Sequence, residues 1–136
     1  MSEAVGAPWS TEVALRDDQV DYLGHVTAHC YLELLEFAHW RWLSEVMADE
    51  RPAFVIAEIR LRFLKELLIG DGPVSITIAP KVLAERSVTV VEELRSAVGR
   101  HATAEAVLVR WDPDVRGSRP FGPDERARIR VQIAPP

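Results

Sequence analysis

Apolar and polar side chains alternate along Thr11 to Arg16 (TEVALR), the period of two that a half-buried β-strand imposes because successive side chains leave opposite faces. The polar stretch Asp17 to Gly24 (DDQVDYLG) breaks that alternation and is expected to be a loop. From Thr27 to Met47 the period lengthens. Tyr31, Leu34, Leu35, Ala38, Trp42 and Val46 recur at steps of three and four, which gathers them on one face of an α-helix. Thr27 is the expected N-cap, with its hydroxyl accepting from a first-turn amide. Arg51-Pro52 is expected to close the helix, since a residue before proline is pushed out of the helical region.

Beyond the helix, Phe54 to Glu66 sets Ile56, Ile59, Leu61 and Phe63 against Glu58, Arg60, Arg62 and Lys65, again at period two. Gly70-Asp71-Gly72-Pro73 is a turn, and Val74, Ile76 and Ile78 alternate with Ser75, Thr77 and Ala79 in a further strand. Ser87 to Ala97 and His101 to Trp111 form a hairpin around Gly99. The Pro- and Gly-rich Pro113 to Pro123 is a loop, and Asp124 to Arg130 a short closing helix. This order predicts an α+β domain over residues 1–136, an antiparallel five-stranded sheet wrapped around one long central helix, with an N-terminal arm at 1–10 and a C-terminal tail at 113–136. One sheet edge stays open, and an uncovered edge is a liability that pairing removes. A homodimer or homotetramer is expected, joined edge to edge or across the helix side.

A chain of 136 residues with 48% hydrophobic and 27% charged positions makes one ordinary globular domain. The formal net charge of −5 argues against general attraction to nucleic acid or anionic lipid. No apolar run approaches the roughly 20 residues of a membrane span. Met1 to Ser10 lacks the basic and apolar regions of a signal peptide, and Cys30 is the only cysteine, so a cytoplasmic location is expected.

The candidate chemistry lies in Gln19-Val-Asp-Tyr-Leu-Gly-His-Val26, just ahead of the long helix. A carboxylate there, Asp21, stands three residues before Gly24 and four before His25. The helix start offers unpaired amides and a partial positive charge, which would polarise a carbonyl oxygen and stabilise an oxyanion. A nearby carboxylate would attack that carbonyl or deprotonate a water. Those are the parts of an ester or thioester hydrolase.

The same residues resemble the 4-hydroxybenzoyl-CoA thioesterase-like, Tol-Pal-associated type of hotdog-fold acyl-CoA thioesterases, whose pattern is D-x-D-x-x-G-H-V, a tyrosine and a helix ending near E-x-A-R. Asp21, Gly24, His25, Val26, Tyr31, Glu36 and Ala38 fall on matching positions, Phe63 on an aromatic seven residues before Gly70-Asp71, and Arg86-Ser87 on a basic-Ser pair. The resemblance implies a hotdog fold and hydrolysis of acyl-CoA, or of an acyl group on a carrier protein, without cofactor or metal. It implies Asp21 as nucleophile or general base, the amide near Ala28 as oxyanion donor, and His25 as a residue that shapes the pocket or positions water and substrate. Gly24, Tyr31, Phe63, Arg86 and Ser87 would meet the substrate. The chain departs from the pattern at Gln19 for the first acid, Thr27-Ala28 for an asparagine pair, and His39 for arginine, changes expected to touch the pocket lining.

Other expectations compete with these. Asp21 is equally suited to bond its own turn. Asp21, His25 and His29, spaced by four, suggest a metal site only if His25 lies in the helix, and it is expected to precede it. Glu36 is expected to be solvated or paired, and Cys30 to be a small buried residue. Arg60, Arg62, Lys65, Arg86 and Arg119 are candidates for the phosphates of coenzyme A, and Trp40, Trp42 and Trp111 for the core or an interface. A non-catalytic acyl-CoA-binding module and an acyl-thioester hydratase or dehydratase are the alternative functions.

Overall fold

The computed structural model describes residues 8–135, so most of the expected N-terminal arm lies outside the described residues. Strand β1 runs over Trp9–Val13, where Trp9, Thr11 and Val13 point inward and Ser10 and Glu12 point out. It begins two residues before the expected Thr11 and stops short of Arg16. Arg16 instead enters a 3-10 turn at Asp17–Gln19, in which its amide donates to Gln19 Oε1 at 2.8 Å.

Helix α1 covers Ala28–Met47 and buries Tyr31, Leu34, Leu35, Ala38, Trp42 and Val46, the face that the periodicity marks, together with Cys30, His39, Leu43 and Met47. The helix ends earlier than Arg51-Pro52. Ala48 takes a left-handed conformation with φ 51°, and the Asp49 amide returns to the Ser44 carbonyl at 3.0 Å. These bonds satisfy the last carbonyls, so the chain leaves the helix without needing the proline.

Strands β2 (Phe54–Phe63), β3 (Val74–Leu83), β4 (Ser87–Ser96) and β5 (Gly99–Asp112) join β1 in an antiparallel sheet of order β1-β3-β4-β5-β2. A two-residue strand, β6 (Gly117–Ser118), pairs with the end of β5 inside the segment expected to be loop, giving six strands rather than five. β2 ends at Phe63 and not at Glu66, because the carbonyl of His101 accepts from both Leu64 and Lys65 amides and curls the chain away. Val74, Ile76, Ile78, Val88, Val90, Leu94 and Leu108 point from the sheet at α1, forming one apolar cluster with the buried helix face. Each such side chain removed from water contributes about 1.5–3 kcal/mol. Ala102, Ala104 and Ala106 on β5 are buried in the same cluster, and their small size leaves room beneath the helix.

The short closing helix, α2, covers Pro123–Arg130. Glu125 receives Arg110 through both oxygens at 3.2 Å, Trp42 Nε1 donates to Gln132 at 2.9 Å, and Arg128 donates to the Val46 carbonyl at 3.0 Å. The tail is thereby fastened to the far end of α1.

His39 stands where a family arginine was expected, and its side chain is sealed in the core. Its Nε2 lies 2.6 Å from Glu92 Oε2, and neither side chain is accessible. The approach is close but not aligned as a hydrogen bond, and all four polar side-chain atoms of the pair lack a bonding partner among the described residues. Two buried polar groups whose one close polar contact is each other are sensitive to loss of either one. Glu92→Gln, which keeps the shape and removes the charge, is expected to lower the unfolding free energy by about 1–3 kcal/mol in urea titration. An unchanged midpoint would show that the pair contributes nothing.

Candidate active site

Asp21 opens a tight turn that delivers the chain to α1. Its amide donates to the His25 carbonyl at 2.9 Å, and the Gly24 amide returns to the Asp21 carbonyl at 3.0 Å. Gly24 has φ +81°, a left-handed conformation that costs a residue with a Cβ roughly 1–2 kcal/mol. The Asp21 side chain holds the same turn, with Oδ1 accepting from the Leu23 amide at 2.9 Å and the His25 amide at 3.0 Å. Both bonds use Oδ1, so Oδ2 is not committed to the turn.

The turn is clamped from two sides. The Thr27 amide donates to the Gln19 carbonyl at 3.1 Å, and the Val26 amide to the Leu67 carbonyl at 2.8 Å. Gln19 is buried and its Nε2 donates to Glu33 of α1 at 2.9 Å. The hydrogen bonds from Gln19 and then Arg16 hold the Glu33 carboxyl below its ordinary range. Gln19, expected to touch the pocket lining, is therefore a fastener between the turn and the helix.

Thr27 is the N-cap residue of α1, in extended conformation, yet its hydroxyl caps no amide. That oxygen lies instead 3.3 Å from His29 Nδ1. The Thr27 carbonyl accepts from Cys30 and Tyr31, which leaves the amides of Ala28 and His29 without an acceptor among the described residues. A helix start with two open amides keeps its positive end available to an oxygen atom from outside.

A cavity of about 390 Å³ adjoins that start. Its walls are His25, Val26, Ala28 and Tyr31 on one side, and Phe63 with Leu64, Lys65, Glu66 and Leu67 on the other. Tyr31 and Phe63 meet edge to face, with ring centroids 5.0 Å apart. Burial raises the Tyr31 phenol above its ordinary value, so it is a neutral donor throughout the physiological range. His25 Nε2 lies 2.9 Å from Glu66 Oε1.

Of the residues marked by the sequence, His25, Ala28, Tyr31 and Phe63 meet at this cavity. Asp21 and Gly24 belong to the turn that carries His25 and are not among the lining residues. Arg86 and Ser87 are elsewhere. Ser87 and Val55 both stand opposite Val109, eight residues along β2 from Phe63, or roughly 25 Å at about 3.3 Å per residue. Of the basic candidates, Lys65 alone lines the cavity. Arg60 and Arg62 border a different hollow, with Val91 and Glu105. Arg86 is occupied with the Ser118 carbonyl at 2.9 Å. Cys30 is buried, Glu36 is exposed, and among the described residues no cluster of three His, Cys, Asp or Glu is placed to hold a metal ion. Trp42 is buried, Trp111 half-buried and Trp40 exposed. Among the described residues no helix is long and apolar enough to cross a membrane.

Glu66 was not marked in the sequence. The apolar pairs Phe63-Leu64 and Leu67-Leu68, which break the alternation around it, are the only local signal that the strand ends before it.

Residues 14–131 match a protein family described as the thioesterase-like superfamily. Among solved structures, a predicted thioesterase from Bacillus stearothermophilus superposes with a TM-score of 0.85 at 20% identity, covering 96% of this chain and 99% of that one. A thioesterase from Thermus thermophilus complexed with coenzyme A and Zn gives a TM-score of 0.79 at 23% identity, covering 93% and 95%. A hypothetical protein from Staphylococcus aureus in complex with CoA gives 0.83 at 16% identity, covering 93% and 84%. These likenesses carry the fold, the sheet wrapped on a central helix. No curated protein matches the chain.

Proposed function

The chain belongs to the thioesterase-like superfamily, and from that membership we propose that it hydrolyses an acyl-CoA thioester to the free acid and coenzyme A. The observation that carries this reading is the open Ala28 amide at the wall of an apolar cavity. The thioester oxygen accepts from that amide, and its growing negative charge during attack is met by the positive helix end. The acyl group lies against Tyr31 and Phe63. Asp21 acts through Oδ2 by one of two routes. In the first it adds to the carbonyl carbon and expels the coenzyme A thiolate, leaving a mixed anhydride that water then cleaves to the free acid and the Asp21 carboxylate. In the second it takes the proton of a water that attacks the carbonyl carbon directly. In both the C–S bond breaks, and the thiolate leaves and takes up a proton. The two solved structures that hold coenzyme A support the choice of thiol.

The edge strand β2 supports a homodimer. Among the described residues it pairs only with β5, runs ten residues, and exposes Val55 and Phe63 along its length. Within one chain Arg86 and Ser87 do not line the cavity and lie roughly 25 Å along the sheet from Phe63, which favours their meeting the substrate from a second copy.

The test is a panel of acyl- and aroyl-CoAs given to purified protein that sediments as a dimer at micromolar concentration. Free thiol is expected from at least one of them. Tight binding without thiol release would make the protein a binding module, and a monomer that turns substrate over would dismiss the shared edge.

A further inference from the structure

Three charged side chains on β2 have no match within the chain. Glu58, Arg60 and Arg62 alternate with Ile59 and Leu61, which pack toward the core, so the three project together from the sheet face turned away from α1. All are exposed, and among the described residues none of them makes a hydrogen bond or an ion pair. Further in on that face the charges are matched. Lys81 lies 3.3 Å from Glu105, and Glu93 holds Arg95 at 3.3 Å and Arg100 at 3.2 Å. The three unmatched charges lie on the strand that forms the open edge.

The backbone of that edge is free to pair. The Leu64 amide donates to His101 on β5, so by alternation Phe63, Leu61 and Ile59 turn their N–H and C=O groups outward. Two copies joined there by a two-fold axis perpendicular to the sheet run antiparallel, and each residue keeps its face. Charge then decides which residue the axis meets. An axis through Glu58, Arg60 or Arg62 would set that residue against its own copy, and one through Leu61 would set Arg60 against Arg62. Of the positions from Glu58 to Arg62, Ile59 alone brings only opposite signs face to face, Glu58 of each copy opposite Arg60 of the other. Ile59 also stands near the middle of Phe54–Phe63, so the two strands overlap along nearly their whole length.

We propose that β2 pairs with β2 of a second copy about a two-fold axis at Ile59, closed by two Glu58–Arg60 ion pairs. This rests on the dimer reading above and supplies its register, which bears on the cavity. Phe63, four residues from the axis, comes beside the Phe54–Val55 end of the partner strand, offset by the bulge between Ile56 and Glu58. In sheet order the partner's β5 and β4 follow. Ser87 of the partner subunit, aligned with Val55 through Val109, then stands three strand spacings from Phe63, roughly 14 Å.

Charge reversal read by sedimentation tests the register. Glu58→Arg and Arg60→Glu each place like charges across the axis, and each alone is expected to raise the dimer dissociation constant roughly tenfold or more. An equal mixture of the two variants is expected to recover wild-type association, because every facing pair is again of opposite sign; misfolded chains would not recover on mixing. Under oxidation Ile59→Cys is expected to give a disulfide-linked dimer, since a hydrogen-bonded pair sets its Cα atoms about 5.5 Å apart, while the wild type, whose one cysteine is the buried Cys30, gives none. Wild-type association of either single variant, variants that stay apart when mixed, or faster cross-linking of Arg60→Cys or Leu61→Cys than of Ile59→Cys would overturn the register and leave the dimer standing. A wild-type chain that sediments as a monomer would remove the dimer itself.

Discussion

Asp21→Asn is expected to lower kcat for thioester hydrolysis by about 10³-fold, the scale of losing a positioned nucleophile or base. The same change should barely disturb the fold. Asparagine keeps an Oδ1 that can accept from the Leu23 and His25 amides, so the turn that carries His25 survives and only the charge and the nucleophilic Oδ2 are lost. Asp21→Ala is less informative, because it removes the turn bonds and the reactive group together, and a slow enzyme would then have two explanations. Steady-state kinetics beside a melting curve separates them. Turnover of Asp21→Asn within a few-fold of wild type, at unchanged melting temperature, would confine Asp21 to its turn and move the chemistry to His25.

That both roles meet in Asp21 explains why the sequence left them open. An aspartate that bonds its own turn and one that attacks a carbonyl leave the same trace in a single chain. The helix face was legible because Leu34, Leu35, Ala38, Trp42 and Val46 are buried at helical spacing, and burial is what writes a period. The helix end was not, since the left-handed Ala48 is not a glycine and carries no compositional mark. The strand end at Phe63 was hidden for a different reason: the carbonyl that captures Leu64 and Lys65 belongs to His101, more than thirty positions away.

Distance along the chain also concealed the polar contacts that shape the site and core. His25 with Glu66, His101 with the Glu66 carbonyl, and His39 with Glu92 each join elements far apart in sequence. Motif spacing found His25, Ala28, Tyr31 and Phe63, which share one cavity. It also marked Arg86 and Ser87, at the start of β4 and outside that lining, since a basic-Ser pair at a strand start carries no information on which end of the sheet it occupies.

The Thr27 hydroxyl was expected to accept from a first-turn amide and caps none; the Ala28 amide, at the first helical position, is out of reach of an N-cap side chain in any case and stays open. That amide can be removed almost alone. Proline is tolerated at the first helical position, where its missing N–H has no partner within the helix, and its fixed φ suits that site. The residue before it must be extended, and Thr27 already is, with φ −77° and ψ 157°. Ala28 is exposed, so no packed neighbour stands against the ring. Ala28→Ser, which keeps the N–H, is the control. The decisive measurement is kcat/KM of Ala28→Pro on the best acyl-CoA, with the melting temperature taken in parallel. Loss of about 10²–10³-fold is predicted, the cost of one oxyanion donor, with Ala28→Ser near wild type and all three proteins equally stable. Ala28→Pro working at close to the wild-type rate would mean that the thioester oxygen does not rest on the start of the helix.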